Sequence, residues 1–470
     1  MMKILGMEGK SFGVFGLGKT GLTSAEALVS SGAEVYSYDE NEQAREKTAN
    51  TPYLAEHPTS WPWQNLDALV LSPGVPLTHP KPHAVVSKAR EVGVEIIGDI
   101  EIFARTINAM PKDRRAKIVA VTGSNGKSTT TSLIAHILRE AGHRVFEGGN
   151  IGEAVLGLPQ PEENSIYVLE LSSYQLDLTH SLKADIAVLL NISPDHLDRH
   201  GGMDGYVMAK KRIFRNQDGD DFAFIGVDDD ISQTICTDQI SHKKANVVPV
   251  SVKGTLGHGV FALGGEIFYN FENKTIQAGK IPDIVSLRGQ HNFQNAAVAF
   301  AVCNRLGVSP PLAMMAMAKF KGLPHRMEYV AEIDGVTFIN DSKATNADAV
   351  IKAFGAFDSI FWIAGGKAKE GGIEDLDAHL TNVRAGYFYG ESAKLFAKQV
   401  GRKISTQTYT RIDHAVDNAF ADALSTKAKN PVVLLSPAAA SFDQYKNFEE
   451  RGDVFRQIVN KIAQERGKVA

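Results

Sequence analysis

Cysteine is nearly absent: 470 residues carry two, Cys236 and Cys303. No Cys-x-x-Cys pair and no His-rich cluster accompanies them. That excludes a disulfide scaffold and a Cys-based zinc site and fits a reducing compartment. No apolar run approaches the roughly 18 residues that a membrane-spanning helix needs, so no membrane insertion is expected. The start, Met1-Met-Lys-Ile-Leu-Gly-Met-Glu-Gly, turns polar too soon for a secretory signal, and a cytoplasmic protein is expected. Charge of one sign is not in excess: 50 Lys and Arg stand against 54 Asp and Glu, a net charge of −4. Without a dense basic stripe interleaved with aromatics, no nucleic-acid partner is expected. Short repeats and low-complexity tracts are also missing. What remains is 43% hydrophobic and 22% charged, an ordinary globular composition at a length that predicts two or three domains.

Against this plain background one stretch stands out, Val119-Ala-Val-Thr-Gly-Ser-Asn-Gly-Lys-Ser-Thr-Thr-Thr131. It reads as a buried strand, a glycine-bearing loop and a helix from Thr129 to about Glu140. Glycines let backbone N–H groups curl around phosphate oxygens, and the helix points its positive end at the same spot. Lys127 has the reach for β and γ phosphates, and the Ser128 hydroxyl suits Mg²⁺. Val121 occupies the place of the first glycine of the usual P-loop, so the loop is the shorter Gly-x-x-Gly-Lys-Ser.

Three blocks follow from the alternation of strand and helix signals. In the first, Ser11-Phe-Gly-Val-Phe-Gly16-Leu-Gly18-Lys-Thr-Gly21 enters a Gly-x-Gly-x-x-Gly turn, and a second strand, Ala33 to Tyr38, ends at Asp39. Strand, turn, helix, strand and acid in that order form a dinucleotide-binding fingerprint. It cradles a pyrophosphate, which NAD and UDP-sugars share, and Asp39 and Glu40 are both candidates for the ribose or uracil. Further strands are expected at 69–74 and 94–98, and residues 108–117 read as a linker. In the second block, Ser165-Ile-Tyr-Val-Leu-Glu170 is a buried strand ending in a carboxylate that can hold Mg²⁺ beside the phosphate loop. The next strand empties into Asn191-Ile-Ser-Pro-Asp-His196-Leu-Asp-Arg-His200, and a helix carries Lys210-Lys-Arg212. Short alternating runs between about 247 and 287 suggest an antiparallel insert. The third block has strands at 336–341, 360–366, 386–390 and 431–436, ending in loops rich in Gly, Ser, Asp or Lys. The expected fold is therefore α/β with three domains: an N-terminal Rossmann-like domain (1–110), a central P-loop ATPase-like parallel sheet with an antiparallel β insert (111–320), and a C-terminal Rossmann-like domain (321–470).

Seven ordered motifs together resemble the ATP-dependent Mur ligases of peptidoglycan synthesis. They are Gly123-Ser-Asn-Gly-Lys-Ser-Thr129, Glu170-Leu-Ser-Ser-Tyr-Gln175, Asn191 through Arg199, Ala209-Lys-Lys-Arg-Ile213, Gly289-Gln-His-Asn-Phe-Gln-Asn295, Leu323-Pro-His-Arg326 and Asn340-Asp-Ser-Lys-Ala-Thr-Asn346. Within the family, the last run and the tail Ser436-Pro-Ala-Ala-Ala-Ser441-Phe-Asp-Gln-Tyr-Lys-Asn-Phe448 look most like the D-glutamate-adding branch. The resemblance implies UDP-N-acetylmuramoyl-L-alanine, D-glutamate and ATP as substrates, Mg²⁺ as cofactor, an acyl-phosphate route to an amide, and a monomer. Such an enzyme serves cell-wall biogenesis and, through it, cell shape and division.

The same resemblance assigns residues. Gly123, Ser124, Asn125, Gly126, Lys127, Ser128 and Thr129 would hold the ATP phosphates, Asn292 and Asn295 border the adenine, Arg326 meet phosphate and Asp341 ribose. Lys19, Thr20, Asp39 and Ser72 would hold the UDP portion, and Asn150 the muramoyl end. Thr345, Lys369, Ser441 and the Phe448 backbone would take D-glutamate, with Lys367 an alternative to Lys369. Mg²⁺ would sit on Ser128 and Glu170, and a second ion near His196 on Lys210 as a CO₂-derived carbamate. Carbamylation needs a neutral amine, so neighbouring cations, burial or both must lower the Lys210 pKa, with Lys211, Arg212 and bound Mg²⁺ as the cations expected to do so. Residues 108–117 and 322–326 would act as hinges.

Three other readings use part of these signals. A dehydrogenase would rest on the first glycine turn but leaves the phosphate loop unused. A P-loop switch or motor would hydrolyse ATP without an acceptor amino acid. A folylpolyglutamate-type ligase shares the acyl-phosphate chemistry but needs no N-terminal pyrophosphate site.

Overall fold

Three parallel-stranded sheets, each with its own flanking helices, organise the chain into three α/β domains. The structure is a computed structural model and describes residues 1–467 apart from 54, 243, 272, 273 and 370. By compactness the described chain forms two units, Met1–Ile281 with Gln294–Met317, and Pro282–Phe293 with Ala318 onward.

The first unit holds two sheets. Strands β1 (Ser11–Phe15), β2 (Glu34–Tyr38), β3 (Ala68–Leu71) and β4 (Glu95–Ile97) run parallel in the order β2-β1-β3-β4. The second sheet contains β5 (Lys117–Thr122), β6 (Arg144–Gly149), β7 (Ser165–Glu170), β8 (Ile186–Leu189), β9 (Phe222–Gly226), β10 (Asn246–Ser251), β11 (Gly259–Leu263), β12 (Glu266–Phe271) and β13 (Lys274–Lys280). Its order is β13-β12-β11-β10-β9-β8-β5-β7-β6. The run from β6 to β11 is parallel, and only β11–β12 and β12–β13 pair antiparallel. The antiparallel segment expected between about 247 and 287 is therefore shorter: β10 joins the parallel run, and the meander extends the sheet edge.

Central strands such as β5, β7 and β8 are almost wholly buried runs of Val, Ile, Leu and Ala, the pattern of a sheet covered on both faces. Because successive connections leave β5 first towards β6 and β7 and then towards β8, the strand order reverses at β5. Ligands of open α/β sheets gather outside the carboxyl ends at such a reversal.

The helix Asp99–Asn108 fastens the two sheets of this unit together. Glu101 is buried and accepts from His180 N (2.7 Å), Ser181 N (2.8 Å) and Ser181 Oγ (2.8 Å) while pairing with Arg105. The segment expected as a hinge at 108–117 is braced as well. Asn108 donates to Ser181 O, and Arg115 donates to both Met110 O and Asn108 O.

The second unit has one six-stranded sheet. Strands β14 (Glu328–Ile333), β15 (Val336–Asn340), β16 (Ile360–Gly365), β17 (Val383–Tyr389), β18 (Ser405–Tyr409) and β19 (Val432–Leu435) lie in the order β14-β15-β19-β16-β17-β18. Only β14 is antiparallel to its neighbour. Two separate apolar clusters cover its faces, one around Trp362 and Phe388, the other around Phe338, Tyr387 and Phe455. Edge strand β14 mixes polar and apolar residues and β18 (Ser-Thr-Gln-Thr-Tyr) is polar, both only partly buried, which is why the sequence reading passed over both.

Candidate active site

In the first unit the carboxyl ends of β5, β7 and β8 converge. The loop Gly123–Gly126 leaves β5 and feeds the helix Lys127–Glu140, which starts two residues earlier than the sequence suggests. Gly126 has φ +83°, and a Cβ there would overlap Asn295 Oδ1. Asn295 Oδ1 also accepts from Thr130 Oγ1 at 3.1 Å, fastening its helix to the phosphate-loop helix. Asn191 after β8 completes the cradle: its Oδ1 accepts from Asn125 N (2.9 Å) and its Nδ2 donates to Asn125 O (3.2 Å). Ser124 Oγ lies 2.9 Å from Tyr206 Oη and 2.9 Å from Ser193 O. Ser128 and Thr129 sit in the first turn of the helix, Ser128 half-buried and Thr129 buried.

Two lysines meet this loop. Lys127 opens the helix half-buried, with Nζ donating to Gly123 O and Ser124 O at 2.9 Å each. Lys210 is 1% exposed and also donates to Gly123 O, at 2.8 Å. Burial, then the nearby Lys127 ammonium, push the Lys210 pKa down to about 7, against the pull of Asp195 and Glu170. The expectation that Lys211 and Arg212 supply the depressing cations is corrected: Lys211 pairs with Asp238 at 2.7 Å and Arg212 with Asp177 at 3.4 Å. A triplet that composition would leave on a solvated face is thus split, with Lys210 alone turned inward.

Glu170, at the end of β7, is 2% exposed. Its Oε1 accepts from Asn150 Nδ2 at 2.9 Å, while Oε2 is buried without a hydrogen-bond partner. An ionised oxygen left bare in a buried site is costly unless a cation completes it, so Glu170 fits Mg²⁺ on its own terms. His196 has φ +52° and a half-exposed side chain 5.0 Å from the Tyr174 ring. Among the described residues no cluster of three or more His, Cys, Asp or Glu could hold a metal ion. A site here would draw on mixed donors, with Ser128, Glu170, His196 and Lys210 as the available set.

At the end of β1, the Gly-x-Gly-x-x-Gly turn is held tightly. A Cβ on Gly21 would overlap Gly16 O. Asp39 Oδ2 accepts from Leu17 N (2.6 Å) and Oδ1 from Asn41 N (2.8 Å), so both its oxygens shape the loop. Ser72, after β3, donates to Gly16 O at 2.6 Å. Glu40 is exposed and pairs with His83. Lys19 is exposed, bonding Gly152 O at 2.6 Å and pairing with Glu153 at 3.3 Å, and Thr20 follows it half-buried in the first turn of the helix Lys19–Ser30. That turn carries no acidic residue and no side-chain cap, leaving its N–H groups suited to an anion.

The second unit brings its own strand ends together. Asp341, just beyond β15, is 5% exposed and accepts from Met327 N (3.2 Å) and Ser436 Oγ (3.0 Å). Burial raises its pKa to about 7, against the bonds from Ser436 and Met327 and the charge of Arg326. Asn292 is buried and donates to Arg288 O at 2.8 Å. Thr345 is half-buried beside Asn346, which caps the helix Ala347–Phe354. Ser441 is buried in the loop after β19. Phe448 opens the helix Phe448–Glu465, with the Lys343 ammonium 3.9 Å from its ring centre. Lys367 and Lys369 are both exposed; Lys367 exchanges backbone hydrogen bonds with Ala440, whereas Lys369 accepts from Gly372 N through its carbonyl.

Several groups escaped sequence reasoning. Arg451 is fully buried, donating to Ser342 Oγ (2.9 Å), Ser342 O (2.8 Å), Ala439 O (3.0 Å) and Gly365 O (3.3 Å). One guanidinium thereby ties the loops beyond β15, β16 and β19. It lies in a helix whose pattern shows only a charged turn, so no local signal marks it. Asn191 was in view as part of a motif and Tyr206 was not, and their bonds to the loop connect residues 66 and 82 positions apart.

Comparison with known proteins covers all three domains. Residues 10–98 match the Mur ligase MurD-like N-terminal domain, 121–303 the Mur ligase middle domain and 325–439 the Mur ligase glutamate ligase domain. The chain is 48% identical over 470 residues to the UDP-N-acetylmuramoylalanine–D-glutamate ligase of Caulobacter sp. (strain K31), covering 100% of both chains. It is 49% identical over 463 residues to the protein of that name from Phenylobacterium zucineum (strain HLK1), covering 98% of each. Among solved structures, UDP-N-acetylmuramate-alanine ligase MurC from Thermotoga maritima aligns over 97% of this chain and 99% of its own, with TM-score 0.59 and 18% identity, a likeness of fold.

Proposed function

The chain belongs to the Mur ligase family, and we propose from that membership that it joins D-glutamate to UDP-N-acetylmuramoyl-L-alanine with ATP, through an acyl phosphate. The observation that carries this reading is the end-to-end match, 48% identity over all 470 residues to a D-glutamate ligase. None of the three domains is left without a counterpart.

The residues support the chemistry physically. An acceptor carboxylate attacking the γ-phosphorus of ATP brings anion to polyanion, so the site must supply positive charge where negative charge develops. Lys127 is placed on the phosphate loop for this, and the N–H groups of the loop and helix start add to it. Mg²⁺, when bound by Glu170 and Ser128, would neutralise phosphate charge. The acyl phosphate then takes the D-glutamate amine at its carbonyl carbon, and phosphate leaves. Asn292, Asn295, Arg326 and Asp341 serve ATP in this reading, and Asn150 serves the muramoyl end. Lys19, Thr20, Asp39 and Ser72 serve UDP. Thr345, Lys369, Ser441 and the Phe448 backbone serve D-glutamate.

Lys210 is the residue we assign to carbamylation. Its amine is buried with a pKa near 7, so a large neutral fraction is available at physiological pH to react with CO₂. The product carries a carboxylate suited to Mg²⁺. Lys210→Ala should lose nearly all synthesis and regain part of it with formate or acetate, whereas Lys211→Ala should be mild.

In this reading one chain supplies every assigned group and acts as a monomer. No helix among the described residues is long and apolar enough to cross a membrane. The cytoplasmic location we propose rests on the ATP-dependent reaction assigned above. The test is ADP release: turnover should require UDP-N-acetylmuramoyl-L-alanine, D-glutamate and Mg²⁺ together. Equal ADP release without either acceptor would overturn the ligase reading in favour of a simple ATPase.

A further inference from the structure

The loop Asn191–Gly202 is tied to the loop after β3 of the N-terminal sheet through the Arg199 side chain. Arg199 Nη2 donates to Gly74 O at 3.0 Å. Gly74 follows Ser72 by two residues, and Ser72 Oγ donates to Gly16 O in the glycine turn at 2.6 Å. On its other side the Arg199 guanidinium lies over the Tyr174 ring, 4.9 Å from its centroid. That ring also stacks on His200 (5.3 Å, 11° between planes) and touches His196 at 5.0 Å. His200 is fixed in turn by Ser173 Oγ at 2.9 Å and Asp177 at 3.1 Å. A second contact joins the same two loops, since a Cβ on Gly201 would lie 2.5 Å from the His79 ring.

A continuous set of contacts thus runs from Gly16, through Ser72, Gly74, Arg199 and Tyr174, to His196. We propose that Arg199 is a positioning residue that transmits occupancy of the glycine-turn site to the His196 loop beside the ATP phosphate cradle. This rests on the function proposed above, in which UDP-N-acetylmuramoyl-L-alanine occupies the first site and ATP the second.

The chemistry suits the role. A guanidinium stacks flat on an aromatic face and donates along its edge at the same time, which a lysine ammonium cannot reproduce. Among the described residues Arg199 Nε is buried without a hydrogen-bond partner, and the group is held by the stack and the Gly74 bond. Movement of the Gly74 carbonyl when the acceptor binds would therefore shift the plane on which Tyr174 and His196 rest. Coupling of this kind is reciprocal and is typically worth about 5- to 150-fold in affinity.

The experiment is a calorimetric titration of the full-length protein with a non-hydrolysable ATP analogue and Mg²⁺, with and without UDP-N-acetylmuramoyl-L-alanine. In the parent protein the acceptor should tighten analogue binding by about fivefold or more. Arg199→Ala and Arg199→Lys should bind the analogue alone as the parent does, while the acceptor's effect shrinks to less than about twofold. Tyr174→Leu, which removes the stacking surface from the opposite side, should lose the effect too and stands in should an Arg199 variant fail to melt cooperatively. Coupling retained in the variants, or absent in the parent, overturns the proposal. Failure of the parent to bind the acceptor at all overturns the functional reading instead.

Discussion

Replacing Lys210 by Met should make the protein more stable while removing its activity. The amine is buried at 1% exposure, and its pKa falls from the ordinary 10.5 to about 7. Each unit of pKa corresponds to about 1.4 kcal/mol, so holding this amine charged in the folded state costs on the order of 5 kcal/mol. Met keeps the length and straight shape without the charge. The change gives up the bond to Gly123 O, about 1.5–3 kcal/mol for a charged donor. That carbonyl still accepts from Lys127 Nζ at 2.9 Å and is not orphaned. A net gain of about 2–3 kcal/mol remains where Lys210 would be charged.

The pH dependence has a definite sign. Between about 7 and 10.5 the unfolded chain binds more protons at this position than the folded one, so wild-type stability rises with pH there. The advantage of Lys210→Met is therefore full below about pH 7 and shrinks towards pH 10. Urea unfolding at pH 6 and pH 9, with bicarbonate and ligands removed, measures it. A variant no more stable than the parent at pH 6, or an advantage that grows with pH, would refute this account of the site.

Further consequences are open to direct measurement. Lys127→Ala should lower kcat by roughly 10²–10³ with the melting curve little changed, because the proposed function sets this lysine where charge develops on the transferred phosphoryl group; more than about half the activity retained would contradict that proposal. Glu170→Gln should raise the Mg²⁺ concentration needed for half-maximal turnover, since the buried oxygen without a partner loses its charge, and an unchanged Mg²⁺ titration would remove Glu170 from the metal site. Asp341→Asn should stabilise the protein at pH 8 and not at pH 4. Burial raises that carboxyl from 3.8 to about 7, so its contribution is full below the first value and lost as pH rises through the second; chemical denaturation at the two pH values checks the sign.

The sequence made some of this legible and hid the rest for physical reasons. Phosphate loop, glycine turn and strand-end Glu170 are contiguous patterns whose chemistry depends on local backbone, and each appears at the carboxyl end of a buried strand. The inward turn of Lys210 was suggested by family resemblance alone, because a Lys-Lys-Arg triplet carries no sign of which member faces the core. The cation that helps lower its pKa could not be read along the chain: Lys127 is 83 positions away in numbering, and the fold brings the two amines together on Gly123 O. Arg451, Glu101 and the Arg199 stack are long-range arrangements of the same type. The edge strands, β14 half-polar and β18 polar, lack the continuous apolar runs that marked the central strands.

The central claim is substrate choice, and a competition experiment tests it most directly. The protein is incubated with ATP, Mg²⁺, UDP-N-acetylmuramoyl-L-alanine and an equimolar mixture of D-glutamate, L-glutamate, L-lysine and diaminopimelate, and the uridine-containing products are identified by mass and by chiral analysis after hydrolysis. The account predicts a single product carrying D-glutamate. A product carrying L-glutamate, lysine or diaminopimelate in comparable yield would contradict it while leaving the chain within its family.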